Sequence, residues 1–349
     1  MMGRGWIVLI MAMVMLEVQV CSTSIRRAVS PQKSPVVAFY NVENLFDTID
    51  DPQTHDEEFT PHSKRRWTSS RYHRKLAQLA DVIAWLGPPL VIGVAEIENE
   101  QTVANLARAI YAQTGRSYLW VHHESPDHRG IDVALLYMAD SVEALLKKDF
   151  IRVDLSSGKT TREILHAELV VRWDGVRDTL HFFVNHWPSR REGKRASEPH
   201  RIIAARTLRN AIVQVLRDAP QAEIIVMGDF NDEPTDKSIT QILGALWDDS
   251  NAFLINLMAN EVRSGGGSYR YRQWWNLLDQ IMVSSSLRRP EGIYVDRHLA
   301  RVFRDSRLLE DDERFGGQKP YRTYLGPRYH GGMSDHLPVY LILEVYRSK

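Results

Sequence analysis

The sequence predicts one α/β or α+β domain built from stacked layers of sheet and helix. Short apolar runs of roughly four to eight residues recur along the chain and end in polar residues or glycine, as buried strands do. Amphipathic helical stretches lie between these runs, with apolar residues three and four positions apart. Strands covered on both faces and helices with one apolar face are the parts of a layered domain.

Length and charge narrow the organisation of this domain. The chain has 349 residues, enough for one large domain or two smaller ones. Its 44 acidic and 44 basic residues give a formal net charge of zero, so any attraction to phosphate must come from local groups. We predict one domain over residues 36–347, in which the aperiodic region 286–330 forms a long surface excursion or lid.

The N-terminal segment, residues 1–24, has the pattern of a secretory signal peptide. Arg4 precedes an apolar run from Trp6 to Leu16, which is short for a membrane span. Residues 25–35 are polar and contain proline, which predicts a linker. We therefore expect an exported protein that is periplasmic, outer-membrane-associated or secreted.

Cys21 is the single cysteine of the chain, and it lies at the end of the predicted signal peptide. A bacterial lipoprotein would carry its lipid on such a cysteine, which would attach the protein to a membrane. Val20 stands where such signals usually have a small residue. Cleaved secretion and lipid anchoring at Cys21 both stay open.

The predicted elements follow in chain order. The strand candidates are "VVAFYNVENLF", "LVIGVAEIEN", "IDVALLY", "LHFFVNHW", "IIVMGDFN", "LLDQIMVS" and "LPVYLILEV". Apolar residues at helical spacing predict helices over 71–86, 102–113 and 199–217, the last with Pro199 in its first turn.

Polar side chains lie at one end of six of these strands. They are Asn41 and Glu43, Glu96, Asn185 and His186, Asp229 and Asn231, Asp279, and Asp335 with His336. Each alone is explained by a turn, a cap or a solvated position. Together, at converging strand ends, they would form a cluster of acids, amides and two histidines.

Such a cluster suits phosphoester hydrolysis. Carboxylate oxygens are hard ligands for Mg²⁺ or Mn²⁺, and the sequence has no cysteine or close histidine pair that would indicate a zinc site. A divalent ion can neutralise charge on phosphoryl oxygens while carboxylate and histidine groups position water and move protons.

The ordered motifs "NVENLF", "GVAEIEN", "RGIDVALLY", "NHWPSR", "GDFND", "LLDQIMVS" and "SDHLPV" resemble the endonuclease/exonuclease/phosphatase family. The resemblance extends from about Val36 to about Val345. It implies a DNase I-like four-layer α/β/β/α sandwich, in which two packed mixed β-sheets are flanked by helices.

The resemblance also implies a metal site. Glu96 matches the principal metal-binding glutamate, Asn41 the asparagine that orients it and helps to hold metal or phosphate, and Asp335 a second metal-side aspartate. Glu43 lies where some nucleases carry an accessory metal aspartate, and its role is open. Asp132 is outside the general pattern and is left out of the catalytic set.

The catalytic roles implied by the resemblance fall on five further residues. Asp229 matches the aspartate that aligns or activates the attacking water, and Asn231 the asparagine that binds a phosphoryl oxygen. His336 matches the histidine near the scissile phosphate, oriented by Asp279. His186 matches a residue that contacts phosphate or the leaving group.

Basic side chains provide candidates for substrate binding. Arg129 lies where the deoxyribonuclease branch places a phosphate-binding arginine. Arg190 and Arg191 follow His186 closely in the basic stretch 188–195, although a solvated loop explains them equally well. The aromatic stretch "YRYRQWW" at 269–275 is a candidate for stacking on bases.

We expect an exported phosphodiesterase dependent on Mg²⁺ or Mn²⁺, most simply a nuclease acting on DNA or RNA. A phospholipid, sphingomyelin or inositol-phosphate hydrolase is the alternative that the same family core allows. A non-catalytic binding protein on a degenerate core is the third reading, disfavoured because Glu96, Asp229 and His336 are all present. The sequence predicts no oligomeric state.

Overall fold

The structure is a computed structural model that describes residues 34–155, 158, 161–247, 252–295 and 300–346. The predicted signal peptide, with Cys21, and the predicted linker up to Lys33 lie outside the described residues. Within the described ranges, no helix has both the length and the apolar character needed to cross a membrane.

The described chain alternates strands and helices in the order expected of layered domains. The α-helices are α1 (Ser69–Trp85), α2 (Glu100–Thr114), α3 (Lys194–Asp218) and α4 (Ala259–Arg263). The strands are β1 (Val36–Leu45), β2 (Val91–Ile97), β3 (Tyr118–His122), β4 (Asp132–Met138), β5 (Val142–Ile151), β6 (Ile164–Trp173), β7 (Val176–His186), β8 (Glu223–Asp229), β9 (Ala245–Leu246), β10 (Leu254–Asn256), β11 (Tyr269–Tyr271), β12 (Trp274–Asn276), β13 (Asp279–Val283), β14 (Ile293–Tyr294), β15 (Arg301–Val302), β16 (Leu309–Asp311), β17 (Gln318–Pro320), β18 (Tyr324–Leu325), β19 (Arg328–Tyr329), β20 (Val339–Ile342) and β21 (Glu344–Val345).

Two mixed sheets form the centre of the domain. The first has the order β15-β20-β1-β2-β4-β3, and the second has the order β5-β6-β7-β8-β13-β10-β9. Each contains a central parallel pair, β1 with β2 and β7 with β8, flanked by antiparallel neighbours. The two sheets are therefore built on the same plan.

The sheets pack closely face to face. A Cβ added at Gly93 of β2 would lie 3.0 Å from the sulfur of Met227 and 3.1 Å from a methyl of Val184, both on the second sheet. A side chain at this position would force its neighbours to move, so glycine allows the close approach. Buried side chains of both sheets, such as Phe39 and Ile225, join one hydrophobic cluster.

Helices cover the outer faces of both sheets. Leu76, Leu79 and Ile83 of α1 belong to the same hydrophobic cluster as the first sheet, whereas Leu208 and Ile212 of α3 pack in a second cluster against the other sheet. Helix, sheet, sheet and helix thus form four layers. The predicted four-layer α/β/β/α sandwich is confirmed.

Helices α1 and α2 lie close to their predicted positions. The ends of α2 follow from local chemistry, because the Asn99 side chain accepts a hydrogen bond from the Thr102 backbone at 2.8 Å. Gly115 then ends the helix with a φ of 69°, in the left-handed region that favours glycine.

Helix α3 begins earlier than predicted, at Lys194, so that Pro199 lies inside the helix and not in its first turn. The buried Arg201 side chain stabilises this first turn: its guanidinium donates to the Lys194 carbonyl at 2.8 Å and to Ser197 Oγ at 2.6 Å. Pro199 has no N–H to donate to the Arg195 carbonyl, so one helical hydrogen bond is missing there.

The same edge of the two sheets collects the predicted site residues. The parallel pairs β1–β2 and β7–β8 end there, and the antiparallel strands β13 and β20 begin there. In the second sheet, His186 of β7 and Asp279 of β13 are each paired in register with Asp229 of β8.

The described residues of the region 286–330, which exclude 296–299, form short strands, 3-10 turns and loops. The hairpins β16–β17 and β18–β19 lie in this region. Between them, Arg322 and Thr323 reach back to the Glu43 carboxylate at the end of β1. This excursion therefore contributes side chains to the edge that carries the site.

Candidate active site

Asp229 lies at the centre of the site, 2 % exposed, at the last position of β8. Its Oδ1 accepts a hydrogen bond from the Asn231 backbone at 3.0 Å. Its Oδ2 accepts one from Asn41 Nδ2 at 3.1 Å. The carboxylate is therefore held from both sheets.

Asn41 connects Asp229 to Glu96. Its Nδ2 lies 3.4 Å from Glu96 Oε1, and its Oδ1 accepts from the Glu43 backbone at 3.0 Å. The amide thus orients two carboxylates, which agrees with the orienting part of its predicted role; direct metal ligation stays a prediction. Glu96 Oε2 is fixed separately by the Asn44 backbone at 2.9 Å.

The backbone is in the left-handed region at several site residues. The φ angle is 65° at Glu96, 49° at Asn231 and 51° at both Glu43 and Asn44. Non-glycine residues adopt this conformation at a cost of about 1–3 kcal/mol each, and such residues concentrate at functional sites. The surrounding hydrogen bonds must hold these residues in place.

His336 and Asp279 form a buried acid–histidine pair. His336 Nδ1 lies 2.7 Å from Asp279 Oδ2, and Nε2 points toward Asp229 Oδ2 at 3.9 Å. Burial alone would lower the pKa of His336, but Asp279, Asp229 and Asp335 outweigh it and raise this pKa well above its usual value. The imidazole is therefore held protonated.

The Tyr269 ring packs against His336, with ring centroids 4.9 Å apart. Ser334 completes the support on the other side: its hydroxyl donates to the Asn41 carbonyl at 2.7 Å and accepts from the His336 backbone at 3.0 Å. Orientation of His336 is thus set by contacts from both sheets.

The pKa of the Asp229 carboxyl lies near neutral pH. Burial raises its pKa to about 7, with repulsion from Asp279 and Glu96 adding to the effect and the positive His336 opposing it. A carboxylate whose pKa lies near neutral pH can accept a proton efficiently. This property fits the predicted role of activating water.

His186 has the opposite environment to His336. Burial lowers its pKa well below the usual value, and the positive charges of Arg162 and Arg129 lower it further. Its Nε2 lies 3.6 Å from Asp229 Oδ2 and 3.8 Å from Glu96 Oε1. His186 is therefore a neutral imidazole, with one N–H donor and one acceptor nitrogen, and it lacks the extra proton of an imidazolium.

A second group of charges adjoins the site around Glu43. Arg322 Nη2 lies 2.7 Å from Asp335 Oδ2, and its Nε and Nη2 both lie 3.4 Å from Glu43 Oε1. The buried Lys75 ammonium donates to the Glu43 carbonyl and, at 2.7 Å, to Thr323 Oγ1. Asp335, predicted on the metal side, is thus bonded to an arginine here.

The donor groups of the site fit a divalent cation. The carboxylates of Glu43, Glu96, Asp229, Asp279 and Asp335 are gathered there. Lys75, Arg322 and His336 offset part of their charge, and Arg129 acts on Glu96. Carboxylate oxygens at a largely buried position are what Mg²⁺ and Mn²⁺ bind.

Glu96 is the carboxylate that we assign to that ion, because its oxygens accept hydrogen bonds from the amide groups of Asn41 and Asn44 and its side chain is 15 % exposed. Asp229, Asp279 and His336 also bring ligand atoms within 4.8 Å of one another. However, the hydrogen bond between Asp279 and the protonated His336 already uses one atom of each, and an imidazolium cannot ligate a metal. We interpret this trio as a proton-handling group.

The predicted substrate arginines have different surroundings. Arg129 lies beside Asp127, with its Nε 3.8 Å from Asp127 Oδ1. Arg190 bonds to the Asn231 carbonyl at 2.5 Å and to Asp236 at 2.8 Å. Arg191 has an exposed side chain. Arg190 therefore holds the Asn231 loop, and substrate contact stays a prediction for all three.

Contacts with residues outside the "GDFND" motif hold Asn231 in place. Its Nδ2 donates to the Trp187 carbonyl at 3.1 Å. Its neighbour Asp232 is buried and pairs with the fully buried Arg201 at 2.8 Å. The loop after β8 is thereby fastened to α3, which keeps Asn231 against Asp229.

Several important residues were not predicted from the sequence. Lys75 could have been noticed as a lysine between Tyr72 and Leu76 on the apolar face of α1. Arg162 and Arg322 lie in aperiodic segments without a motif, so no local signal marks them. Asp132, left out of the catalytic set, accepts a local hydrogen bond from the Ser125 backbone at 3.0 Å.

Solved structures with the same fold include three from different sources. Humanized D. rerio TDP2 carrying 14 mutations has a TM-score of 0.54 and 16% identity, over 89% of this chain and 99% of that one. The mannosyl-6-phosphatase of Bacteroides thetaiotaomicron has a TM-score of 0.53 and 16% identity, over 89% and 100%. The human Nocturnin catalytic domain with bound sulfate has a TM-score of 0.51 and 16% identity, over 90% and 95%.

Sequence comparison gives a family and no individual relative. No curated protein matches the chain. The profile of the Endonuclease/Exonuclease/phosphatase family matches residues 36–345. This family comprises divalent-metal-dependent hydrolases of phosphoric esters. Because its profile spans nearly all of the described chain and the fold agrees, the chain belongs to the Endonuclease/Exonuclease/phosphatase family.

Proposed function

We propose that this protein is an exported nuclease that hydrolyses phosphodiester bonds of DNA or RNA with the help of Mg²⁺ or Mn²⁺. One observation carries the hydrolytic part of the proposal. Asp229, with a pKa near 7, lies buried between the amide of Asn41 and the protonated His336. A proton acceptor and a charged donor therefore face the same small space.

Asp229 is the group that we assign to the attacking water. It takes the water proton as the water oxygen forms its bond to phosphorus and the opposite ester bond breaks. The departing oxygen then takes a proton from solvent. Asn41 and Asn231 keep the Asp229 carboxylate in place through the hydrogen bonds described above.

His336 stabilises the negative charge that develops on the phosphoryl oxygens. Its Nδ1–H donates to Asp279, which leaves the Nε2–H free to donate to a phosphoryl oxygen near Asp229. A divalent ion held by Glu96, with Asn41 and Asp335 beside it, supplies further neutralisation of phosphoryl charge when bound.

The β11–β12 hairpin supports a nucleic acid substrate. It is anchored at the site, where Tyr269 pairs with His336 by a backbone bridge. Its tip carries Trp274 and Tyr271, which are 65 % and 56 % exposed. Exposed aromatic rings beside a phosphodiester site suit stacking with bases, at about 1–3 kcal/mol per base.

Nicking of supercoiled plasmid by the full chain tests the proposal. We expect nicking in Mg²⁺ that stops in chelator and is weakened by Trp274→Ala, whereas Tyr111→Ala, another exposed aromatic on α2, serves as the matched control. A folded protein that leaves DNA and RNA intact in Mg²⁺ and in Mn²⁺ would contradict a nuclease.

The same aromatic tip favours one alternative, hydrolysis of a phospholipid or sphingomyelin. Trp274 and Tyr271 could insert at a membrane interface, where tryptophan and tyrosine are enriched. Co-sedimentation with phosphatidylcholine and sphingomyelin vesicles separates the two. Vesicle binding that Trp274→Ala removes, together with release of phosphorylated headgroups and no nicking, would favour the lipid substrate.

Export remains part of the proposal and rests on the sequence of residues 1–24. Expression of the full chain in a bacterial host, followed by fractionation and mass analysis of the N-terminus, tests it. A chain cleaved near residue 24 supports secretion, and a lipid-modified Cys21 that Cys21→Ser abolishes supports anchoring. An uncleaved cytoplasmic chain would contradict export.

A further inference from the structure

A cavity of about 570 Å³ lies beside the chain that follows His186, where Pro188 and Ser189 line it together with Arg129. It is far larger than the roughly 30 Å³ that one water occupies. Its lining brings together three arginines, Arg129, Arg162 and Arg191, and two histidines, His128 and His200. Two acids also line it, so the described lining has a positive balance.

Only some of the charged groups that line this cavity have all their hydrogen bonds made within the protein. Asp127 accepts from Arg162 Nη1 at 2.9 Å and from the Arg129 backbone at 3.0 Å, so this acid is committed. Arg162 Nη2 donates to the Trp187 carbonyl at 2.8 Å. The fully buried Nε of Arg162 has no hydrogen-bond partner.

Thr161 provides a second and independent indication. Its side chain is 4 % exposed and lines the cavity, yet its hydroxyl has no hydrogen-bond partner. Leaving a buried hydroxyl unpaired costs about 1–3 kcal/mol. The Thr161 hydroxyl and the Arg162 Nε–H, at consecutive positions of the chain, are therefore two donors without an acceptor.

We infer that this cavity binds a second phosphate group of the substrate, next to the phosphate that is hydrolysed. Thr161 and the arginines supply the donors, and Arg129 links the cavity to the catalytic group because it interacts electrostatically with both Glu96 and Arg191. The inference deepens the proposed function and rests on it for the identity of the substrate. It implies a substrate with at least two phosphates, as in a nucleic acid strand.

Equilibrium binding of dinucleotides to the full chain in chelator tests this inference without turnover. The ligands are thymidylyl-thymidine and its 5′-phosphorylated and 3′-phosphorylated forms. We expect one terminal phosphate to lower Kd by about tenfold, as a few charge-assisted hydrogen bonds would. The wild type and Arg217→Gln, an exposed arginine at the far end of α3, should show the same gain.

Two variants test which residues cause the gain in affinity from the terminal phosphate. Arg191→Gln should remove most of it and Thr161→Val part of it. Arg191 is exposed, so its variant remains informative if Thr161→Val does not fold. The inference would be overturned if neither the terminal phosphate of the dinucleotides nor the second phosphate of a sugar bisphosphate brought a gain, or if both variants retained the gain in full.

A sugar bisphosphate compared with its monophosphate forms a second arm. A gain in this arm alone supports the phosphate subsite and assigns it to small phosphorylated substrates. Because these measurements need no catalysis, loss of the inference and loss of nuclease activity are observed separately.

Discussion

The hydrogen-bonded pairs Asp279–His336 and Asp149–His166 behave in opposite ways. Asp279 and His336 lie at the catalytic edge, 2.7 Å apart. Asp149 and His166 lie on β5 and β6, 3.2 Å apart. The pKa of His336 is raised well above its usual value, whereas burial lowers that of His166 to about 4.

The difference lies in what surrounds each pair. Asp279 is almost fully buried, and Asp229 and Asp335 add negative charge around His336. Asp149 is 41 % exposed, so its charge is screened by water. A hydrogen-bonded carboxylate is therefore not enough to make a histidine cationic; the sign of the whole buried environment decides.

The neighbours of His166 add to this contrast. His181 donates or accepts at 3.2 Å from His166 Nε2, and the Phe183 ring stacks on His166 with centroids 4.4 Å apart. Lys147 contributes positive charge. His166 is thus a neutral packed ring, and we assign it no catalytic part.

The largest expected effect separates the two histidines directly. His336→Gln should lower kcat for a phosphodiester substrate by about 10²–10⁴-fold, because it removes a protonated donor to the phosphoryl group. His166→Gln should change kcat by less than about threefold. Comparable losses in both folded variants would show that the comparison is wrong.

The second prediction concerns the aspartates. Asp279→Asn should lower kcat by about 10²-fold and lower the pKa of the His336 imidazole, because the raised pKa depends on that carboxylate. Asp149→Asn, its matched control, should leave turnover unchanged. NMR titration of the histidine ring signals in both variants checks the cause, and a His336 titration unaffected by Asp279→Asn would refute it.

The third and smallest effect is on stability against pH. The folded pKa of His166 is about 4 against roughly 6.5 in the unfolded chain, so its contribution is full above pH 6.5 and is lost as pH falls toward 4. His166→Phe keeps an aromatic ring packed on Phe183 but cannot be protonated. Between pH 7 and pH 5 its free energy of unfolding should therefore fall by about 2 kcal/mol less than that of the wild type. Chemical denaturation at both pH values measures it.

Because the pKa of His336 is raised, its contribution to stability changes with pH in the opposite direction. Its contribution to stability is full below about pH 6.5 and is lost only as pH rises through the folded pKa. His336→Gln should therefore not improve acid stability. If both His166→Phe and His336→Gln improved stability at acid pH, the two histidines would have the same kind of environment and the comparison would be wrong.

Much of the architecture could be predicted from the sequence. Alternating apolar strands and helices with capping residues such as Asn99 and Gly115 fix their own boundaries through local chemistry. The strand tips carrying Asn41, Glu96 and Asp229 could be grouped because neighbouring strands bring them to one edge.

The remaining features depend on contacts between distant segments. Arg322 and Lys75 meet at Glu43 across 279 and 32 residues, and no local pattern encodes such a meeting. The Arg201 guanidinium, which bonds to Lys194 at the start of α3 and to Asp232 after β8, is another such contact. The charge balance of the site was accordingly invisible until these cations were located.

Hydrolysis of bis(p-nitrophenyl) phosphate by the full chain and by Asp229→Asn, with and without Mg²⁺, tests the central claim most directly. This substrate needs neither bases nor a second phosphate. We predict Mg²⁺-dependent release of p-nitrophenol by the wild type and a loss of at least about 10²-fold in the folded variant. Equal turnover by the two proteins would contradict the assignment of this edge of the sheets as the active site.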